Sequence, residues 1–183
     1  MPILPGTNFE VSDISLGFEY LAPSIAATKG LTLAQMCTIT GLEQSTTQNW
    51  IKRGWVAHPV NKRYGEYQIS RIMIFNMLRP SMQLDNIAYL LRYVNGEADD
   101  RGDDLIPDSK LYTHLCLVIK QCKDKGYTKN EEIRQIVDAS LNDYNEKYAG
   151  AKEKIAEALT IMTLVFISGE IKKEAEKLLD KIM

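Results

Sequence analysis

The spacing of apolar residues is the feature of this chain that most narrows its possible folds. In residues 108–183, apolar side chains recur at the 3.6-residue period of an amphipathic helix, and glycines separate the stretches. The apolar stripes lie in residues 111–122, 133–148, 155–166 and 171–182, with Gly126, Gly150 and Gly169 between them. Thr128 and Glu131 also fit a capping box at the start of the second stretch. The pattern predicts four helices and no strand, and therefore a helical bundle in an all-α protein.

Composition excludes several classes of protein. The 183 residues are 45% hydrophobic and 25% charged, which is typical of a globular domain. A membrane span is not expected because no apolar run reaches about 18 residues. The N-terminus has no basic residue ahead of its apolar positions, so we expect no secretory signal. Three scattered cysteines do not suggest a disulfide framework, and we expect a cytoplasmic protein.

Charge is distributed unevenly along the chain. Residues 29–95 hold eight basic and three acidic residues, whereas the chain as a whole has a net charge of −2. A basic middle between acidic flanks favours an anionic partner. Residues 95–107 carry five acids, two glycines and a proline, which is typical of an exposed linker. We therefore predict an N-terminal arm (1–31), a basic domain (32–96), an acidic linker (97–107) and the helical bundle (108–183).

Residues 32–56 predict a helix-turn-helix. Thr32 and Gln35 form a capping box at the start of one short helix, and Gly41 suits the tight turn that follows it. A second helix is expected over residues 44–53, and Gly54 ends it. Two short helices joined by a turn with glycine can place the second helix in a major groove. Trp50, Trp55 and Phe75 are expected in the core.

The next residues predict a small wing. Residues 59–65 are basic and turn-forming, and residues 66–69 can return as a strand, so that the hairpin would present Lys62, Arg63 and Tyr64 to phosphates. Two helices are expected afterwards, one capped by Ser70 and ending at Pro80, and one stopped by Gly96. For Arg71 and Arg79, the sequence leaves open whether each contacts the DNA backbone or occupies an ordinary surface position.

Residues 32–96 resemble the winged helix-turn-helix domain of the MerR family of transcriptional regulators. The resemblance lies in TLAQMCTITGL, KRGWVAHP, KRYGEY at the place of the wing, and MQLDNIAYLL at the closing helix. The whole chain also resembles uncharacterised bacterial proteins, common in Gram-positive species, that join such a domain to a helical C-terminal part. The resemblance implies a bacterial transcriptional regulator that binds double-stranded DNA.

The expected DNA contacts lie on the second helix and on the wing. Amide side chains can pair bidentately with adenine, and basic side chains bind phosphate. The residues are Gln44, Ser45, Thr46, Gln48, Asn49, Lys52, Arg53, Lys62, Arg63 and Tyr64.

The sequence also departs from the MerR pattern. Glu43 places a carboxylate at the start of the second helix, and Ser45, Gln48 and Asn49 stand where the family often has arginines and a tyrosine. The family's long dimerising helix is replaced by the acidic segment. An alternative function is therefore a protein–protein interaction module that does not bind DNA.

Other classes of site find little support. The sequence has no nucleotide-binding, metalloprotease or hydrolase motif, so we expect neither an enzyme nor a cofactor. His114, Cys116 and Cys122 lack zinc-ligand spacing, and we expect no metal. The apolar residues 158–167 are expected either in the centre of the bundle or at a subunit interface. We expect a homodimer through the C-terminal helices, which would also sense an effector, either a small molecule or a protein.

Overall fold

The fold is described from a computed structural model, which covers residues 1–126 and 129–183. Within these residues the chain is helical and contains no strand, which confirms the all-α prediction. A 3₁₀ helix, Ile14–Tyr20, precedes α1 (Ala22–Ala27), α2 (Leu33–Thr40), α3 (Gln44–Lys52), α4 (Glu66–Leu78), α5 (Leu84–Asn95), α6 (Asp108–Lys125), α7 (Asn130–Ser140) and α8 (Ala151–Leu179). The capping box predicted at Thr128 lies outside the described residues.

Helix α4 lies at the centre of the molecule. All but two of its residues are buried, and it packs against α2, α5, α6 and α8. The buried apolar side chains form one cluster that extends along the sequence from Leu4 to Ile167. Side chains from both the basic region and the C-terminal helices therefore share a core.

The N-terminal arm is packed onto α6. The Tyr112 hydroxyl donates to the Pro5 carbonyl at 2.6 Å, and the Phe18 N–H donates to Thr113 Oγ1 at 3.1 Å. Gly17 adopts φ +53 directly against Thr113, where a Cβ would lie 2.6 Å from the Thr113 Cα. A glycine is required there because the backbones meet so closely.

The C-terminal half has three helices among its described residues, not the predicted four. The second apolar stripe was expected to continue as a helix to Tyr148, but α7 ends at Ser140. The Tyr144 hydroxyl instead donates to the Leu105 carbonyl at 2.8 Å. Gly169 was expected to end a helix, but it is buried inside α8, which runs through it.

The segment expected as an acidic linker, residues 97–107, is exposed only in part. Its acidic side chains Asp99, Asp100 and Asp103 face solvent, whereas Ala98, Asp104, Leu105 and Ile106 are buried. This loop therefore closes over the ends of α4 and α6. Separately, no helix of the described residues combines the length and the apolar character that a membrane crossing requires.

Candidate nucleic-acid interface

Helices α2 and α3 are joined by the tight turn that the sequence predicts. The Thr32 hydroxyl accepts from the Gln35 N–H at 3.3 Å, and the Gln35 side chain accepts from the Thr32 N–H at 2.9 Å, which confirms the capping box. Gly41 adopts the left-handed conformation with φ +69, which a side chain would strain. Leu42 is buried in the turn and fixes one helix against the other.

One face of α3 is anchored in the core. Thr47, Trp50 and Ile51 are buried, and the Trp50 ring lies 5.1 Å from the Phe75 ring of α4. The Trp55 ring also stacks on Phe75, at 5.7 Å between ring centres and 14° from parallel. The prediction that these aromatic residues belong to the core is confirmed for Trp50 and Phe75, and Trp55 is half-buried against it.

The opposite face of α3 is polar and exposed. Gln44, Ser45, Gln48, Asn49 and Lys52 face solvent, and Arg53 follows at the C-cap. Thr46 is half-buried. The Arg53 guanidinium lies 4.8 Å from the centre of the Trp55 ring, which holds this cation beside the end of the helix. The six exposed residues predicted for DNA contact on this helix therefore share one surface.

The predicted wing hairpin is wrong. Residues 60–63 form a two-residue turn in which Val60 and Arg63 exchange backbone hydrogen bonds of 3.0 and 2.9 Å. Asn61 and Lys62, with φ of +50 and +61, occupy its tip. The chain then enters α4 at Glu66 instead of returning as a strand, because Gln68 accepts from the Gly65 N–H at 3.0 Å and starts the helix.

The turn nevertheless holds two cations at the surface. Leu31 and Tyr64 pair through two backbone hydrogen bonds of 2.8 Å, which fix the turn beside the start of α2. Lys62 and Arg63 are exposed, and Arg63 Nη1 donates to the Gly30 carbonyl at 3.0 Å. Tyr64 is only 4% exposed and packs in the core, so its ring is not available at the surface.

The sequence interpretation missed a buried polar cluster behind this surface. The sequence left open whether Arg71 contacts the DNA backbone or lies at the surface. It does neither, because its Nε lies 2.9 Å from Asp108 Oδ2 and both side chains are buried. Asn95 completes the cluster, since its Nδ2 donates to Asp108 Oδ1 at 2.8 Å. The signal that pointed to it was an arginine inside the apolar run of α4.

The histidine and cysteines of α6 form no site of their own. Cys116 and Cys122 are buried, and burial raises the pKa of the Cys116 thiol to about 12. Within the part of the chain that the structure describes, no group of three His, Cys, Asp or Glu side chains is placed to hold a metal ion. Burial lowers the pKa of His114, so this imidazole is neutral near pH 7.

Comparisons with known proteins give two matches. A family model described as a domain of unknown function (DUF1836) matches residues 26–115, which span α2 to α5 and reach into α6. The uncharacterized protein YkrK of Bacillus subtilis (strain 168) is 22% identical over 161 residues, covering 82% of this chain and 69% of YkrK. No solved structure matches the chain significantly.

The resemblance to the MerR family is therefore wrong. The family model that matches describes a different domain, and the described residues contain no strand from which a wing could form. Of the segments that carried the resemblance, TLAQMCTITGL does form a helix closed by a tight turn, but this local pattern alone does not identify a family.

Proposed function

We propose that this chain is a cytoplasmic bacterial transcriptional regulator that places α3 in the major groove of double-stranded DNA. One observation carries the proposal: α3 is anchored by one apolar face and exposes amides, a hydroxyl and cations on the other. A helix with its side chains is about 10–12 Å across, so α3 fits within a major groove about 12 Å wide, and its nine residues make a rod about 13 Å long.

The exposed residues divide into two roles. Gln44, Gln48 and Asn49 carry amides, which read adenine by donating to N7 and accepting from N6. Lys52 and Arg53, at the C-terminal end, carry charges that bind phosphate without reading sequence. A surface with both roles is what a sequence-specific DNA-binding protein needs.

The turn after α3 supplies further phosphate contacts. Lys62 stands at its tip, and Arg63 uses one nitrogen on the Gly30 carbonyl. Since a guanidinium has five N–H donors, Arg63 retains donors for a phosphate. The hydrogen bond to Gly30 holds its side chain in place before DNA arrives, which reduces the entropy lost on binding.

The test is a selection of genomic fragments by the purified chain at near-physiological salt, followed by binding measurements at several salt concentrations. Asn49→Ala should change the sequence preference, whereas Arg63→Ala should weaken binding to all sequences and reduce the salt slope by about one. Gln135→Ala and Lys125→Ala are matched controls, because both residues are exposed and belong to α7 and the end of α6. If the two α3 and turn variants behave like these controls, the proposal is wrong.

A protein-interaction module is the second candidate, and one observation favours it. Glu43 is exposed at the N-cap of α3 and its carboxylate makes no capping hydrogen bond. A free carboxylate at this edge repels phosphate, and it suits a basic partner surface instead. Folded protein that is not retained by DNA at low salt would favour this second function, since counterion release makes any DNA binding strongest there.

We propose further that the regulator is a homodimer held by the end of α8. Seven exposed positions of this helix and its C-terminal turn follow the 3-4 spacing of a coiled-coil seam: Ile161, Leu164, Ser168, Ile171, Ala175, Leu178 and Ile182. The buried core ends at Ile167 and residues 171–183 are all exposed, so none of the residues that the structure describes covers this part of the helix. An apolar seam of this length is costly to leave in water.

The occupant that fits the seam is a second copy of the chain. In an antiparallel pair of helices, the residues that flank one side of the seam face the equivalent flanking residues of the other helix. Glu174 and Lys181 flank the seam on one side and carry opposite charges, which an antiparallel pair through residues 171–182 can place against each other. Such a pair has a two-fold axis, which predicts inverted-repeat DNA sites.

A further inference from the structure

A pocket of about 840 Å³ opens between the turn after α3, the start of α4, the loop 96–107 and the start of α6. Tyr67 and Asp104 belong to its lining, together with Glu66, Asp108, Arg101 and Lys147. The residues that form it come from distant parts of the sequence. None of them was part of the expected DNA contacts.

Two buried polar groups of this pocket lack partners. Tyr67 is 5% exposed and Asp104 is 7% exposed. Within the described residues, neither the Tyr67 hydroxyl nor Asp104 Oδ1 has a hydrogen-bond partner. Buried polar groups are nearly always paired, and an unpaired one costs about 1–3 kcal/mol. Two such groups in one pocket point to a ligand that pairs with them.

The uncompensated charge of the pocket is negative. The Asp108 carboxylate is held by Arg71 and Asn95, and Glu66 accepts from the Ser109 hydroxyl. Asp104, in contrast, forms no ion pair with any described residue. Burial and the neighbouring Asp108 raise the pKa of Asp104 to about 6, so it is still mostly ionised at neutral pH. A buried anion of this kind selects a cation.

A cation of the chain already lies over part of this pocket. The Arg101 guanidinium lies 4.4 Å from the centre of the Tyr67 ring, within the range of a cation–π contact. Arg101 belongs to the exposed part of the loop, so its side chain can leave for water at little cost. The face of the Tyr67 ring is therefore shaped for a planar or compact cation.

Other classes of ligand fit less well. The described acids form no group of three that could hold a metal ion. An inorganic anion would meet Arg101 and Lys147 at the rim, but it would have to approach the buried carboxylates of Asp104 and Asp108. The size of the pocket, about 840 Å³, also exceeds what an ion needs and suits a small organic molecule.

We propose that this pocket binds a small organic cation, an amine or a guanidine, whose charged group replaces Arg101 over the Tyr67 ring and pairs with Asp104. The Tyr67 hydroxyl then supplies the second polar contact. Arg101 is a tethered competitor of the ligand, and it keeps the ring face covered when the ligand is absent. The proposal does not depend on whether the chain binds DNA.

The test is calorimetric titration of the full chain at pH 7.5 with agmatine, which carries both a guanidinium and an ammonium group. Butyrate, a short organic anion, is the comparison probe. Removal of the competitor in Arg101→Ala should strengthen agmatine binding by about two- to fivefold, the equivalent of about 0.5–1 kcal/mol for an exposed cation–π contact. Asp104→Asn should weaken it by at least about tenfold. Arg79→Ala, an exposed arginine elsewhere, should leave the affinity unchanged.

Three results would overturn the proposal, provided that the variants fold. Arg101 is exposed, so Arg101→Ala is expected to fold, and the circular dichroism of each variant verifies this. The proposal is overturned if Arg101→Ala binds agmatine no better than the unmodified chain, if no form of the chain binds it at millimolar concentration, or if butyrate binds more tightly.

A second measurement tests the role of Asp104 independently of affinity. A cation that pairs with Asp104 lowers the pKa of this carboxyl, which is half protonated near pH 6, so binding at that pH should release up to about half a proton per ligand. Titrations in buffers of different ionisation enthalpy count that proton. Binding without proton release, or with unchanged release in Asp104→Asn, would contradict the proposed contact.

Discussion

Arg71 occupies a position where an arginine is costly, the middle of the most buried helix. Its guanidinium is held by Asp108, and both side chains are excluded from water. Removal of one partner of a buried ion pair leaves the other charge unpaired, which typically costs about 3–5 kcal/mol. We therefore expect Arg71→Met to lower the free energy of unfolding by about 3–5 kcal/mol in urea denaturation at pH 7.5.

The loss in Arg71→Met should depend on pH. Burial raises the pKa of Asp108, and the Arg71 guanidinium opposes that rise. Without the guanidinium the folded-state pKa rises further, so the variant recovers stability as the pH falls and Asp108 is protonated. The deficit should be smaller at pH 5 than at pH 7.5. Arg79→Met, at an exposed arginine, is the control. If the loss of stability in Arg71→Met is the same at pH 5 and pH 7.5, Asp108 is not the group left unpaired.

Asp104 presents the opposite case, a carboxylate that destabilises the fold. Its pKa is raised to about 6 in the folded chain, above the ordinary value near 4, so the folded state binds more protons between these two pH values. Stability therefore falls as the pH rises from about 4 to 6 and stays lower above it. Asp104→Asn should be more stable than the unmodified chain by about 1–2 kcal/mol at pH 7.5, and the gain should vanish near pH 4.

The thermal midpoint across pH measures this effect. Asp99→Asn, at an exposed acid of the same loop, is the control and should show no such trend. A residue that weakens the fold is consistent with a binding role, since functional groups are often kept at a cost in stability. If Asp104→Asn is instead less stable at pH 7.5, the carboxylate has a partner that compensates its burial.

At the scale of elements, Gly169 lies inside α8 because another part of the chain passes close to it. A Cβ on Gly169 would lie 2.7 Å from the Ser81 Oγ and 3.8 Å from its Cβ. In a helix interior, glycine costs about 1 kcal/mol relative to alanine. Gly169→Ala should therefore stabilise the Ser81→Ala variant by about 1 kcal/mol and the unmodified chain by less, as urea denaturation of the four proteins would measure. Equal gains in both backgrounds would rule out the close contact with Ser81.

Local sequence signals predicted helix ends well where a glycine adopts positive φ. Gly41, Gly96 and Gly126 end α2, α5 and α6 in this way, as the sequence indicated. The same rule failed at Gly169, where the reason for glycine is the neighbouring Ser81, 88 residues earlier in the chain. A single sequence does not distinguish a glycine needed for its φ from one needed for its small size.

The predicted strand over residues 66–69 failed for a related reason. Polar and apolar residues alternate there, as they do in a strand, but Gln68 caps the start of α4 and its Nε2 donates to the His58 carbonyl at 3.0 Å. The polar face of α3 could be predicted because it depends on local periodicity alone. The pocket could not, because Tyr67, Arg101 and Asp104 meet only when the loop closes over α4.

At the scale of the whole molecule, the exposed seam of α8 predicts the oligomeric state. Burial of the seam against a second copy removes Ile171, Leu178 and their neighbours from water, which favours association. We expect a mass of twice the 20.7 kDa chain in sedimentation at micromolar concentration. The variant with both Ile171→Glu and Leu178→Glu should be a monomer because a charge in the seam loses its hydration. Leu16→Glu, at an exposed leucine of the 3₁₀ helix, is the control and should remain a dimer.

The same variants connect assembly to the proposed function. A dimer carries two α3 helices, one for each half of an inverted repeat. Once the first helix is bound, the second is held close to its half-site at high effective concentration, which raises the affinity for the full repeat by a factor of about 100 or more. The monomeric variant should lose that factor on the full repeat and should bind a single half-site as the unmodified chain does, because α3 lies outside the seam. Fluorescence anisotropy with labelled full and half sites measures both affinities. Equal affinity of dimer and monomer for the full repeat would mean that the α8 seam does not bring two α3 helices to one DNA site.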